Sequence, residues 1–438
     1  MFVRVSVGEC LDKLTILELK KEKISDSEKQ VLIQQEIDSL SESVAYKNKF
    51  NYLYRILYYY NEIIWKLTDI IKSIDVTDSK YSYISYEIFE NNQRRFRVKN
   101  MINLLSDSNI KEQKSYGEKN IHVHISNNDM FSKKISEIIY FLTNYDNIFI
   151  DKKYAEQLKK YIDVPSIKEY ELIESNKNIS TINLSDYIMD NEMKKYFEYP
   201  VIKYISGGLF GDFIHQLSVI KEKYIETGKK GILYIANIGD NFRMGVEYTY
   251  GDTFNIISKQ KYILDYKLHN GEGIDINLSQ WRYMPYLSYA PFHMVFSMYY
   301  GIKWGNTNWL EDLPQNDTYK DIVFINTSIM RFPRETNYKK FKDIFGEKLI
   351  FLSSSIDEYK YFTEMSKIDI SVHYVDKFDE MCMLINSCKL FIGALSGMLT
   401  IAHACGKQRI VCLPTKTSET LSHYFDVFFK NLKYDFQF

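Results

Sequence analysis

The chain has 438 residues, room for two to four domains at roughly 150 residues each. Lys plus Arg (56) balance Asp plus Glu (57) for a formal charge of -1, so the basic footprint of a dedicated nucleic-acid binder is missing. Hydrophobic residues at 45% and aromatics at 16% exclude global disorder, and 7 Pro with 18 Gly exclude collagenous or Pro-rich architecture.

Cys10, Cys382, Cys388, Cys405 and Cys412 are odd in number and form no C-x-x-C pair, which reads as free thiols in a reducing compartment. The N-terminus lacks a basic-then-apolar signal pattern. The greasy stretch 53–71 is interrupted by Arg55, Asn61, Glu62, Lys66 and Asp69, so no bilayer span is expected. The expected location is cytoplasmic.

Residues 1–116 read as an all-helical domain. Ser6 and Glu9 fit a capping box, and Ser25 with Glu28 repeats the signal. Leu53, Leu57, Tyr60, Ile64, Leu67 and Ile71 recur in alternating steps of four and three, a seam for a neighbouring helix or a second copy of the chain. S-V-G-E-C-L-D-K-L-T-I-L-E-L-K (6–20), F-E-N-N-Q-R-R-F-R-V-K-N-M-I-N (89–103) and I-K-E-Q-K-S-Y (110–116) resemble a small bacterial family with a domain of unknown function, often encoded near polysaccharide-synthesis genes. That resemblance implies no chemistry. Asp12, Lys13, Glu18 and Lys20 are read as i,i+4-type ion pairs and a helix–helix interface, with a polar site as the alternative.

Residues 117–200 alternate as a small α/β or connecting segment: strands at 121–125 and 148–150, helices at 132–143 and 153–161, and a polar connection at 166–198. The two histidines of I-H-V-H-I share one strand face, which suits either half of a metal site or a sheet edge.

From residue 201 short apolar strands alternate with helices. Strands are predicted at 201–205, 232–235, 254–257, 321–325, 348–352, 389–392 and 409–413. The expectation is an α/β fold of two Rossmann-like domains, 201–315 and 316–438, facing each other across a ligand cleft.

Three strand-to-helix junctions carry candidate chemistry. S-G-G-L-F-G-D-F-I-H-Q-L (206–217) lacks the Lys-Ser/Thr of a Walker loop and is a poor dinucleotide fingerprint. Its glycines, Gly208 and Gly211, allow a tight turn and close approach of a ligand. Asp212 is there either as an ordinary N-cap or as a base aimed into the cleft, and His215 either as a ligand contact or as a buried structural group. N-T-S-I-M-R-F-P-R (326–334) offers Thr327, Ser328, Arg331 and Arg334, whose hydroxyls and guanidinium forks suit a diphosphate; Ser353 and Ser354 could add donors. F-I-G-A-L-S-G-M-L-T-I-A-H-A-C-G-K (391–407) ends a strand and opens a helix of small residues, leaving amides around Ser396 and Gly397 for an anion.

Residues 201–438 resemble the GT-B glycosyltransferases, in particular the inverting family of the bacterial heptosyltransferases. Gly208, Gly211 and Asp212 match its first loop; Gly393, Ser396, Gly397, Ala402, Ala404, Gly406 and Lys407 match its late motif. The resemblance implies that Asp212 is the general base and that Ser396, Gly397 and Thr400 lie by the donor phosphates. Leu395 stands where the family has a sugar-contacting Asp, Thr400 replaces its His, and Ser218 its early Pro, which argues against an ADP-heptose donor.

The expected activity is therefore a metal-independent, cofactor-free, inverting transfer of a hexosyl or heptosyl group from a nucleotide-sugar to a glycan or lipid-linked glycan acceptor in surface polysaccharide synthesis. Peripheral membrane contact and self-association through the N-terminal helices are compatible with it. The alternatives are a sugar-nucleotide epimerase of the same fold, and a non-catalytic scaffold or binding protein of a polysaccharide-synthesis complex.

Overall fold

The structure is a computed structural model and describes residues 5–41, 44–110, 118–170, 179–283, 292–303, 308–334, 336–394 and 396–412. The chain divides into two compact units, Met1–Pro200 with Glu226–Gly228, and Val201–Ile225 with Lys229–Phe438.

In the first unit, helices Val7–Lys23, Asn51–Ser73 and Tyr81–Leu105 pack together, joined by the shorter Ser27–Asp38 and Val44–Lys49. Ser6 caps the first helix as expected, its Oγ accepting the Glu9 N–H at 3.1 Å. The second helix is capped one residue later than predicted, by Asp26 on the Lys29 N–H; a carboxylate is the stronger acceptor for a helix start. Leu53, Leu57 and Tyr60 of the seam are buried, whereas Ile64, Leu67 and Ile71 remain partly exposed.

The charged residues of this unit bridge helices. Asp12 pairs with Arg95, Glu18 with Lys47, and Lys13 with Glu36, each on another helix, so the interface is present and the expected i,i+4 pairs give way to cross-helix ones. Lys20, the fourth residue of that reading, sits in the last turn of its helix beside Lys21 and Lys23, where cations favour the dipole.

Behind the helices lies a four-stranded parallel sheet of β1 (Asn120–His124), β2 (Asn147–Ile150), β3 (Ile167–Glu169) and β4 (Thr181–Asn183), in the order β3-β2-β1-β4. Its apolar residues, among them Ile121, Val123 and Ile148, join one cluster with Leu11, Ile56 and Leu57, so helices and sheet share a core. Each fully buried side chain of this kind contributes roughly 1.5–3 kcal/mol.

Two expectations change here. The polar stretch 166–198 is no wrapping connection: it supplies β3, β4 and helix Asn191–Phe197, and Phe197 is fully buried in this core. The two histidines sit on a central strand, not at an edge. His122 stacks on Tyr170 at 3.7 Å with its Nδ1 3.1 Å from Thr181 Oγ1; among the described residues no cluster of three or more His, Cys, Asp or Glu could hold a metal.

The second unit holds two parallel sheets. The first runs β7-β6-β5-β8, built from β5 (Val201–Ser206), β6 (Lys230–Ile235), β7 (Ile263–Leu268) and β8 (Ile276–Asn277). The second runs β11-β10-β9-β12-β13, built from β9 (Val323–Asn326), β10 (Leu349–Ser353), β11 (Ser371–Tyr374), β12 (Leu390–Gly393) and β13 (Arg409–Val411). In each, the chain works outward from a central strand, then returns to that strand's other side. This is the Rossmann-like order, and it places topological switch points at β5/β8 and β9/β12. The α/β class with a helical N-terminal region is thus present, including the two Rossmann-like sheets a GT-B architecture requires.

The predicted strand at 254–257 is instead the end of helix Val246–Ile257, where Thr249, Thr253, Ile256 and Ile257 bury one helical face. A four-residue apolar run does not distinguish strand from helix. The true third strand, β7, is I-L-D-Y-K-L, whose interleaved polar residues hid it.

One apolar cluster takes side chains from both sheets, with Tyr204 and Leu233 from the first and Phe324, Leu352 and Phe391 from the second. Trp309 fastens the halves: its indole N–H donates to the Ile214 carbonyl at 2.8 Å, and its backbone N–H to Ala404 O at 2.9 Å. The five cysteines are free, and burial pushes Cys388 and Cys412 up to about 12. No described helix is long and apolar enough to cross a membrane.

Candidate functional site

The chain leaves the carboxyl end of β5 through Gly207 and Gly208 into helix Phe210–Thr227. The Gly207 carbonyl accepts from Ser279 Oγ at 3.1 Å and from Gln216 Nε2 at 3.4 Å, so the loop is held from β8 and from its own helix. Asp212 lies in the first helical turn, two residues past the helix start, which removes the N-cap reading. A carboxylate there is favoured by the helix dipole.

Its partner is Arg282, in the 3-10 turn Gln280–Tyr283 that follows β8. Arg282 Nη2 lies 2.6 Å from Asp212 Oδ2, with the side chains 13% and 21% exposed. Gly208 and Gly239 both have positive φ, 103° and 78°. A Cβ on Gly208 would come within 2.4 Å of Arg282 Nη2, and one on Gly239 within 3.2 Å of Nη1. The close approach that Gly208 permits is therefore taken by a guanidinium of the same chain.

His215 is fully buried. Its Nε2 sits 3.3 Å from Thr400 Oγ1, its ring lies near Trp309 and His403, and burial lowers its pKa to about 3. Its enclosure fits the buried structural group of the two readings.

At the second switch point Asn326 ends β9. It donates through Nδ2 to Leu352 O at 3.0 Å and accepts from Ser396 Oγ at 3.0 Å, tying the loops after β9 and β12 together. Thr327 is 2% exposed, and its Oγ1 has no hydrogen-bond partner among the described residues. A buried hydroxyl left without a partner calls for an explanation, and a ligand oxygen is one. Ser328 precedes the 3-10 turn Ile329–Arg331, and Arg334 is exposed in the next turn. Leu395 and the side chain of Arg331 lie outside the described residues.

Ser353 and Ser354 have partners within the chain. Ser353 Oγ bonds Ser355 O at 2.7 Å and Glu358 Oε2 at 3.2 Å, and Ser354 Oγ reaches the same carboxylate at 3.4 Å. These residues serve a cap in which Ser355 accepts the Glu358 N–H at 3.2 Å. Ser396 caps helix Gly397–Ala404, and Thr400 Oγ1 also donates back to Ser396 O at 3.2 Å.

The two junctions meet. A Cβ on Gly211 would lie 3.4 Å from Thr400 Oγ1 and 3.8 Å from Gly397 Cα, and one on Gly397 would lie 3.0 Å from the Phe210 ring. Asp212 is the next residue. The structure thus brings Gly211 to Gly397 and Thr400, sets Gly208 and Asp212 on Arg282, and joins Thr327 to the late motif through Asn326. Arg282, Trp281 and Asn326 were missed: β8 is two residues long, and nothing near W-R marks an arginine bound for Asp212.

No protein-family model matches the sequence, and no curated protein does, so the N-terminal resemblance gains no support there. Among solved structures the chain is similar to the iron-containing dodecameric glycosyltransferase TibC from enterotoxigenic E. coli, at 10% identity over 49% of this chain with a TM-score of 0.34. It spans 57% of TibC's length. It is also similar to the E. coli heptosyltransferase WaaC with ADP, at 9% identity over 70% of this chain and 90% of that one, TM-score 0.25. A third likeness is to a glycosyl transferase family 9 protein from Veillonella parvula, at 13% identity over 70% and 84% of the two chains, TM-score 0.23. The functional reading rests on the residues.

Proposed function

We propose that the chain is a nucleotide-sugar-dependent glycosyltransferase that inverts the anomeric carbon in one displacement, without metal or cofactor. The observation that supports it is the meeting of the two helix starts at Gly211 and Gly397, with Asp212 the residue after Gly211. The acceptor O–H gives its proton to Asp212 as its oxygen bonds the anomeric carbon, and the bond to the donor phosphate breaks with its electron pair on the nucleoside diphosphate. A base of this kind needs only to be ionised and within ~3 Å of the hydroxyl. Charge on the leaving diphosphate is met by the amides at Gly397–Met398, the Thr327 hydroxyl, Arg331 and Arg334, a preorganised cradle. The acceptor is a glycan or lipid-linked glycan, and the setting surface polysaccharide synthesis.

Thermal-shift measurement against UDP-, GDP-, ADP- and CMP-sugars tests the donor site, since a ligand at 100 times its Kd stabilises by about 2.7 kcal/mol. Labelled donor then separates transfer from epimerisation. Stabilisation by no nucleotide-sugar, or a labelled sugar epimerised without transfer, overturns the proposal.

A further inference from the structure

The Asp212–Arg282 pair is built at some cost, and this bears on what Arg282 is for. Its guanidinium lies over the Trp281 ring at 4.6 Å, between two glycines of positive φ, with Nε 3.9 Å from Asp240 Oδ2 and Nη2 on Asp212. Nη1 is buried and has no hydrogen-bond partner among the described residues. Burying one donor unpaired is unfavourable, and the left-handed backbone at residues 208 and 239 confines both positions to glycine for practical purposes. A surface pair placed for stability alone would need none of this. The fixed relation it secures is between one guanidinium nitrogen and the carboxylate in the first turn of helix Phe210–Thr227.

We infer that Arg282 is a positioning residue for Asp212: it holds the carboxylate ionised and in one orientation at the β5/β8 switch point, where the acceptor hydroxyl is to be deprotonated. The inference rests on the proposed transferase reading. Its chemistry is directional. An adjacent positive charge favours the ionised carboxylate, so the base is present at lower pH than it otherwise would be. When Asp212 has taken the proton its attraction to Arg282 falls, which favours handing the proton on to solvent before the next turnover. A Lys would keep the charge but lose the planar fork and its stacking on Trp281.

The test uses the full chain with Arg282→Gln and Arg282→Lys. In Arg282→Gln the acid limb of the kcat/KM profile should move up by about one pH unit, and plateau kcat should fall roughly 10- to 100-fold, more than KM for the acceptor changes. Arg282→Lys should restore the acid limb toward its original position while recovering kcat only in part. A merely structural role would lower yield or melting temperature and leave the profile in place. Independently of turnover, the ¹³C resonance of the Asp212 carboxyl, assigned by its loss in Asp212→Asn, should titrate about one pH unit higher in Arg282→Gln. An unmoved carboxyl midpoint overturns this inference. A moved midpoint with no transfer to any acceptor overturns the transferase reading instead.

Discussion

Asp12 and Arg95, 83 residues apart, form a two-pronged ion pair inside the N-terminal helices: Arg95 Nε lies 2.8 Å from Oδ1, and Nη2 contacts Oδ2. Asn61 Nδ2 donates to the same Oδ1 at 2.9 Å, and Lys99 joins from the next helical turn to Glu9. The side chain of Asp12 is 3% exposed. Without Arg95 the buried Asp12 keeps only Asn61 and the more distant Lys99, whose Nζ lies 3.9 Å from Oδ2, so Arg95→Ala should destabilise this unit by about 1–3 kcal/mol. Arg95→Ala combined with Asp12→Leu should recover much of the loss, because it also removes the stranded charge; urea unfolding of both variants is the check.

For the base, Asp212→Asn keeps the shape of the first helical turn and a neutral acceptor for Arg282. The fold should survive, with turnover down ~10²–10⁴-fold. Wild-type turnover in that variant would end the assignment of Asp212.

Thr327→Val removes the unpaired hydroxyl with little change of volume. Stability should hold or rise slightly, since no internal bond is lost. If the hydroxyl meets a donor phosphate, nucleoside diphosphate affinity should drop by roughly tenfold or more, the size of a hydrogen bond to a charged group. Calorimetry on the variant, alongside Arg331→Ala and Arg334→Ala, shows which loop groups reach the diphosphate.

The buried histidines predict an acid-labile second unit. His215 has its pKa lowered to about 3 by desolvation and secondarily by Arg409; His403 is lowered too, first by burial. In the unfolded chain His215 protonates near 6.5, so between about pH 6.5 and 3 the unfolded state binds more protons and stability falls with pH. The loss is at most about 1.4 kcal/mol per pH unit for this one residue. Unfolding free energies at pH 7, 6 and 5 should decline in the wild type and decline less steeply in His215→Gln, where His403 still contributes.

Legibility followed residue chemistry. The strands rich in Val, Ile, Leu and Phe, β5, β6, β9, β10 and β12, were readable from their apolar runs. β7 and β11 were not, because I-L-D-Y-K-L and S-V-H-Y carry polar residues on faces that the sheet leaves partly exposed. Asp212, Gly397 and Thr400 were visible because each belongs to a local strand-to-helix pattern. Arg282 belongs to no such pattern, and its pairing 70 residues away is set by the crossing from β8 back beside β5. The serines after β10 misled for the opposite reason: hydroxyls that suit a phosphate suit a helix cap equally well.

Trp309 and the apolar cluster common to both sheets limit how this molecule can admit a substrate. A hinge rotation of one sheet against the other would tear Trp309 from Ile214 and Ala404 and wet side chains such as Phe391 and Leu352. Access is therefore left to the loops that follow the strands, and turnover should be gated by loop rearrangement with the sheets stationary. Spin labels placed on helix Tyr338–Phe345 and helix Val246–Ile257 should keep one separation with and without nucleotide.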